Sequence, residues 1–302
     1  MIVTLTGTGT SHGIPVIGCE CAVCRSKDPH DKRYRCSAYI RTQDTALVID
    51  TGPEFRLQAL EHKITHLDAV LITHSHADHL NGLDDLRIFS HTASSDKHNE
   101  TKNALNIYAN KPTINDIYKR FDYIYEKTQQ GGGKPLLNLN DSEDFSKDRP
   151  VIVRRTPQND DSGKIAPGTK QGTLLCFPVP MKHGILDVNG WNIREEDAPP
   201  EKSLSYLTDC SFVPDDSIAL IKGTEHLVID GLRQTPHSTH FSFGQALECA
   251  SKIEPKHVWL THINHSSSHE QINEWLSEHK KQFSALADIP VHAAYDGLTL
   301  VI

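Results

Sequence analysis

The chain has 302 residues, enough for one large domain or two. Its hydrophobic fraction is 37% and its formal net charge at pH 7 is −8, which speaks against gripping a nucleic-acid polymer, since that needs a basic stripe. No apolar run approaches the ~18 residues of a membrane helix, and the seven cysteines, an odd number, fit a reducing compartment better than a disulfide framework.

A soluble cytoplasmic protein without membrane contact is therefore expected. The first residues carry no basic segment and no long apolar stretch, so 2–6 reads as a β-strand rather than a signal peptide. A Gly-rich turn with His12 follows, and then the cluster Cys19-Glu20-Cys21-Ala22-Val23-Cys24. A strand over 46–49 ends at Asp50, and a helix over 53–62 has Pro at its first position. A strand over 69–72 runs into Thr73-His74-Ser75-His76-Ala77-Asp78-His79, followed by a helix over 83–89. Apolar residues at three-to-four spacing predict further helices over 113–125, 242–253 and 269–283. Strands are expected at 173–179, 226–229, 257–260 and 298–302, and a strand carrying Tyr206 and Leu207 ends at Asp209. Strands alternating with helices indicate an α/β or α+β chain. Three polar stretches, near 91–103, 128–150 and 156–172, read as surface insertions.

The segment from His74 to His79 puts three imidazoles and a carboxylate into six positions. His74 and His76 are two apart, so in extended chain they point to one side. Asp78 and His79 follow as the chain turns and can face a second ion. Imidazole suits zinc, iron and manganese, and a carboxylate leans towards the harder ions. His183, Asp209 and His262 each stand at or just past a strand end further along. One such residue alone means little, but the ordered set supplies the missing coordination positions.

The cysteine cluster offers three thiolates within six residues. A structural zinc is normally closed by four ligands, so a fourth is owed. His265, three residues beyond His262, is the best candidate. Cys36, Cys176, Cys210 and Cys249 are scattered and read as small buried residues. Asp50 is placed to orient a ligand histidine from behind.

The HxHxDH motif with its downstream His, Asp and His resembles the metallo-β-lactamase superfamily. That resemblance implies a four-layer αββα sandwich as one domain over 1–302. It also implies a dinuclear site in which His74, His76 and His183 hold one ion, Asp78, His79 and His262 the other, and Asp209 bridges them. The run Gly7-Thr8-Gly9-Thr10-Ser11-His12-Gly13-Ile14-Pro15 followed by CxCxxC is similar to the PhnP-type cyclic phosphodiesterase branch. This implies a structural zinc on Cys19, Cys21, Cys24 and His265, and a general acid on the loop before a helix. His240 fills that role best, with Asp78 shared between the metal and catalytic sets. His237 would contact phosphate or orient His240, and His12 would reach substrate.

The expected activity is hydrolysis of a small cyclic phosphodiester, a 2′,3′-cyclic nucleotide or a ribosyl 1,2-cyclic phosphate, to a monoester. The expected cofactors are two divalent ions, Mn or Zn, plus one structural Zn. The expected partner is the small anionic substrate, with no nucleic-acid polymer, and a homodimer is allowed. Two alternatives share features. A tRNA 3′-end endonuclease would carry the same HxHxDH, but with a tRNA-gripping arm and a basic surface. A PQQ-biosynthesis-type binding or carrier protein would carry the cysteine-based zinc, but with a degraded catalytic set, whereas here every ligand position is filled.

Overall fold

Alternating apolar side chains build two sheets that stack face to face. The structure is a computed structural model and describes residues 1–91, 104–126, 134–155 and 172–302. Among these, the first sheet holds β1 (Ile2–Gly7), β2 (Ser37–Arg41), β3 (Ala46–Ile49), β4 (Ala69–Leu71), β5 (Leu105–Ala109) and β6 (Leu137–Asp141). The second holds β7 (Val151–Val153), β8 (Leu174–His183), β9 (Leu186–Glu195), β10 (Leu204–Leu207), β11 (His226–Asp230), β12 (His257–Thr261) and β13 (Val291–Ala293). The last strand, β14 (Thr299–Val301), returns to the first sheet beside β1, giving the order β14-β1-β2-β3-β4-β5-β6 against β13-β12-β11-β10-β9-β8-β7.

The helices are α1 (Ala22–Arg25), α2 (Phe55–Glu61), α3 (Ala77–Leu80), α4 (Arg87–His91), α5 (Lys111–Arg120), α6 (Asp122–Tyr125), α7 (Asp215–Ile221), α8 (Phe243–Ile253) and α9 (His269–His279). The period of two along each strand divides the core into layers. On β3, Leu47 and Ile49 join Leu5, Trp191 and Tyr206 between the sheets, while Val48 faces Phe55, Ile114 and Ile117 beneath α2 and α5. On β11, Val228 enters the middle layer, and Leu227 and Ile229 meet Phe243, Leu247 and Ile272 of α8 and α9. Each such fully buried side chain stabilises by about 1.5–3 kcal/mol. The result is the αββα sandwich. No described helix is long and apolar enough to cross a membrane.

Several elements differ from expectation. The helix expected over 113–125 is two helices, because Phe121 leaves helical geometry at φ −124, ψ 37. Pro53 lies in the turn before α2, whose cap position is Glu54. The segment 83–89 is a 3₁₀ turn over Leu83–Leu86 followed by α4. The described part of the stretch 128–150 is not mere decoration, since it contributes the edge strand β6, parallel to β5 with Leu105 opposite Leu137. Its Asn and Asp residues are what an edge strand tolerates. Residues 92–103, 127–133 and 156–171 lie outside the described residues.

Strand β8 runs to His183 through Pro178 and Pro180. Strand β7 covers it only from Leu174 to Cys176 and Phe212 bridges it only at Lys182, so at Pro178 and Pro180 β8 has a strand, β9, on one side alone among the described residues. Proline is tolerated there because its missing N–H falls on an unpaired edge.

Strands β3 to β6 run parallel, as do β10 to β13, joined by helices wherever the crossovers are described. Parallel strands put their carboxyl ends on one rim, where open α/β sheets bind ligands. The chain leaves β3 at Asp50, β4 just before Thr73, β10 just before Asp209, β11 at Asp230 and β12 just before His262. One rim therefore collects Asp50, the loop from His74 to His79, Asp209, Asp230 and His262.

Candidate metal centre and active site

The chain leaves β4 extended through His74 and His76, then winds into α3, which carries Asp78 and His79 in one turn. The His74 and His76 rings lie 4.5 Å apart, and the His76 ring is 5.1 Å from that of His183 at the end of β8. Donor atoms of His74, His76, His183 and Asp209 all lie within 4.8 Å of one another, and so do those of Asp78, His79, Asp209 and His262. Asp209 belongs to both sets. The structure thus brings together all seven residues that the motif singles out, in two groups sharing one carboxylate.

The backs of the imidazoles are tied down. His79 Nδ1 donates to Asp50 Oδ2 at 2.7 Å, and both Asp50 oxygens accept from Thr73 at 2.8 Å. Thr73 Oγ1 lies 3.0 Å from His74 Nδ1, and His183 Nδ1 donates to the Thr239 carbonyl at 2.7 Å. Such outer contacts fix the tautomer and leave the far nitrogen free to coordinate. His74 Nε2, His79 Nε2 and both ring nitrogens of His262 are buried without a hydrogen-bond partner. Leaving a buried polar atom unpaired costs about 1–3 kcal/mol, so unpaired nitrogens within the two donor groups fit divalent ions. The donor set, imidazole with carboxylate, suits the same chemistry.

The electrostatics agree. Burial pushes the Asp78 carboxyl up, but the charge of His79 and the close approach of the His79 and His262 rings outweigh it and hold it well below the usual range. Asp209 behaves likewise, with His262 and His79 overcoming its burial. Burial lowers His79, yet Asp209, Asp78 and Asp50 pull it well above its ordinary value. Concentrated buried negative charge of this kind needs cations.

The backbone is strained at the same rim. Asp50, Asp209 and His262 adopt left-handed φ of 60, 52 and 57, each costing of order 1–3 kcal/mol. Gly52 presses on the loop so closely that a Cβ there would lie 2.1 Å from the Asp78 carbonyl oxygen. Gly52→Ala is therefore expected to displace the Asp78–His79 turn. Metal analysis should find fewer ions per chain and thermal unfolding should shift downward; unchanged metal content would show that the turn can give way harmlessly.

His240 sits on the loop between β11 and α8, ahead of the Ser242 capping box. Its Nδ1 donates to Asp230 Oδ2 at 2.7 Å. Its ring stacks on His262 at 4.5 Å and 13°, and lies 4.5 Å from His183. Burial lowers its pKa, and the nearby Asp209 only partly opposes this. His237 is half-buried, 5.3 Å from His240 between ring centres, and its Nδ1 accepts from Thr239 N and Oγ1 at 3.3 and 3.2 Å. His12 is exposed at the tip of a turn closed by Gly13 N donating to the Thr10 carbonyl. That turn lies along Ile263, but the structure brings His12 into none of the clusters.

The cysteines form a third group. Cys21 Sγ accepts from Cys24 N at the start of α1. The sulfurs of Cys19, Cys21 and Cys24 lie 3.5, 3.4 and 3.5 Å from His265 Nδ1. A tetrahedral zinc, with Zn–S near 2.3 Å and Zn–N near 2.0–2.1 Å, separates sulfur from nitrogen by about 3.5 Å. Hydrogen bonds from Cys24 N and His265 bring the Cys21 thiol down to about 6, whereas burial takes Cys24 up to about 11. The other four cysteines are buried, as expected.

Residues 45–263 match the family model of the β-lactamase superfamily domain. A solved structure described as a new diphosphatase from the PhnP family is 32% identical at a TM-score of 0.75, covering 100% of this chain and 97% of that one. The chain belongs to the metallo-β-lactamase superfamily, in its PhnP-like branch. An octanoyltransferase from Porphyromonas gingivalis is 34% identical over 301 residues, 99% of this chain but 51% of that protein. This chain thus spans about half the length of that curated relative. A ribonuclease Z from Treponema denticola is 22% identical over 265 residues, 80% of this chain and 85% of that protein.

For a metallo-β-lactamase fold the site is fully furnished with donors, and one acid beyond the motif stands out. Asp230 was not singled out in the sequence, although His226-Leu227-Val228-Ile229-Asp230 repeats the pattern Leu47-Val48-Ile49-Asp50, an apolar strand ending in Asp. Its Oδ2 accepts from both His240 Nδ1 and Cys210 N at 2.7 Å, and Oδ1 is buried without a partner. Burial pushes its carboxyl well above the usual range.

Proposed function

We propose that this metal-dependent hydrolase opens a small cyclic phosphodiester, a 2′,3′-cyclic nucleotide or a ribosyl 1,2-cyclic phosphate, to a phosphomonoester. One observation carries the reading: an imidazole backed by a buried acid, His240 on Asp230, is stacked on His262 beside the two donor sets that share Asp209. His74, His76 and His183 would hold one ion, Asp78, His79 and His262 the other, with Asp209 on both. Two divalent ions supply, when bound, Lewis acidity and a water of lowered pKa.

The chain's own residues account for the rest. Water adds to phosphorus and the bond from phosphorus to a ribose oxygen breaks. That oxygen leaves as a poor alkoxide unless it is protonated. His240 donates its Nδ1 proton to Asp230, so in the imidazolium its Nε2 proton is the one free to pass to the leaving oxygen. Such general-acid help is worth typically 10²–10⁴-fold. Asp50, Thr73 and the Thr239 carbonyl keep the donor imidazoles aligned.

A second reading is endonucleolytic cleavage of tRNA, favoured by the ribonuclease Z relative. The net charge of −8 weighs against it, because polyanion binding rests on clustered Lys and Arg. Phosphoanhydride cleavage deserves inclusion because of the diphosphatase neighbour. Octanoyl transfer is what a relative about twice as long is named for and is not carried over. The deciding experiment is a turnover screen over cyclic diesters, linear diesters, diphosphates, monoesters and tRNA precursor, with manganese or zinc supplied. Fastest turnover is expected on cyclic diesters. Absence of turnover on every diester would overturn the reading.

A further inference from the structure

The ligand loop is gripped from outside by α5, through residues that the proposed chemistry does not use. Ser75 stands between His74 and His76, and its hydroxyl donates to Asp116 Oδ2 at 2.6 Å. One turn further along α5, the Arg120 guanidinium forks. Its Nη1 donates to the Ser75 carbonyl and its Nη2 to Asn81 Oδ1. Asn81 is the C-cap residue of α3. The fork therefore ties the entry of the Asp78–His79 turn to its exit, and Asp116 with Arg120, spaced four apart, present both contacts from one helix face.

α5 is itself firmly seated. Ile114 and Ile117 are buried against the first sheet, and Asn110 caps the helix through Thr113 N while donating to the Asp187 carbonyl of β9. The grip falls where the site has least support of its own. His74 is held by Thr73, His79 by Asp50 and His183 by Thr239. His262 is buried and stacked on His240. His76 is exposed and begins α3 without a side-chain cap, its carbonyl accepts from His79 N, and its ring has no hydrogen bond among the described residues. Its position depends on the backbone of Ser75, the residue that α5 holds.

We propose that Arg120 and Asp116 are positioning residues that fix His76 through Ser75 and so set the affinity of the ion held by His74, His76 and His183. The inference rests on the metal reading above. Loss of an outer partner typically weakens metal binding 10–100-fold.

The test uses apo full-length protein titrated with zinc against a chromogenic chelator, for wild type, Arg120→Ala, His76→Ala and the double variant. Arg120 is exposed at a helix end, so the fold should survive, and circular dichroism checks it. Arg120→Ala is expected to weaken one site 10–100-fold while the others titrate as in wild type. On the His76→Ala background the same change should add almost nothing, because coupled residues fail to add. Ser75→Ala, which removes only the Asp116 contact, should give a smaller loss at the same site. Wild-type affinity in Arg120→Ala, or full additivity in the double variant, would sink the positioning role while leaving the metal reading standing. A wild type that binds no zinc beyond the cysteine site would sink both.

Discussion

Asp209→Asn is expected to leave the protein without either active-site ion while the cysteine site keeps its own. Asp209 is the one residue whose carboxylate falls in both donor sets. Its Oδ1 lies 3.1 Å from His79 Nε2 and 3.4 Å from His262 Nε2, and its Oδ2 lies 3.8 Å from His74 Nε2. Removing its charge strips both groups at once. Asparagine is the cleaner substitution, because residue 209 has φ 52, which Asn tolerates and Ala does not. Elemental analysis should find two fewer metals per chain than in wild type, and turnover should fall to background. The loss should also reach stability. An ion present at 100 times its dissociation constant stabilises the folded state by about 2.7 kcal/mol, so added metal should raise the melting temperature of wild type more than that of the variant, which keeps only the cysteine site. Two ions retained in Asp209→Asn would remove the bridging role.

The clustering of the candidate donors was legible in the sequence for a physical reason. Each candidate stands at the end of an apolar run or in the turn that follows one, and the two sheets bring the ends of those runs to one rim. His74, His183, Asp209 and His262 all stand where hydrophobicity stops. Asp230 obeys the same rule and was passed over, because no motif claimed it. The middle of the fold was legible for the same reason, in β3, β4, β11 and β12. The edges were not. β6 is Leu-Asn-Leu-Asn-Asp, too polar and too short to stand out, and it becomes a strand only because β5 offers it a partner. The prolines of β8 disguised its second half until the missing neighbour on that side made them harmless. Arg120 and Asp116 could not have been found at all. Two charges on the outer face of a helix are ordinary, and only the docking of α5 against Ser75 distinguishes them.

His240→Ala should behave in the opposite way to Asp209→Asn, keeping its metals and losing turnover. His240 belongs to neither of the two donor sets that share Asp209, and its Nδ1 is committed to Asp230. Its removal is expected to cost 10²–10⁴-fold on a ribose cyclic phosphodiester, whose leaving oxygen needs a proton. A diester with an acidic phenol as leaving group needs none, so the same variant should approach wild-type rates on it. The pH profile gives a second readout. A general acid works only while protonated, and burial sets the His240 pKa below its ordinary value. In wild type, kcat/KM on the ribose substrate should therefore fall as pH rises through that lowered pKa, and this limb should vanish in His240→Ala. Asp230→Asn keeps an oxygen able to accept from both His240 Nδ1 and Cys210 N but removes the ionisable carboxyl behind the ring, so its loss should fall between wild type and His240→Ala. Full activity of His240→Ala on the ribose substrate would mean that the proton comes from elsewhere. His237, 5.3 Å away and half-buried on the same loop, would then be the next residue to remove.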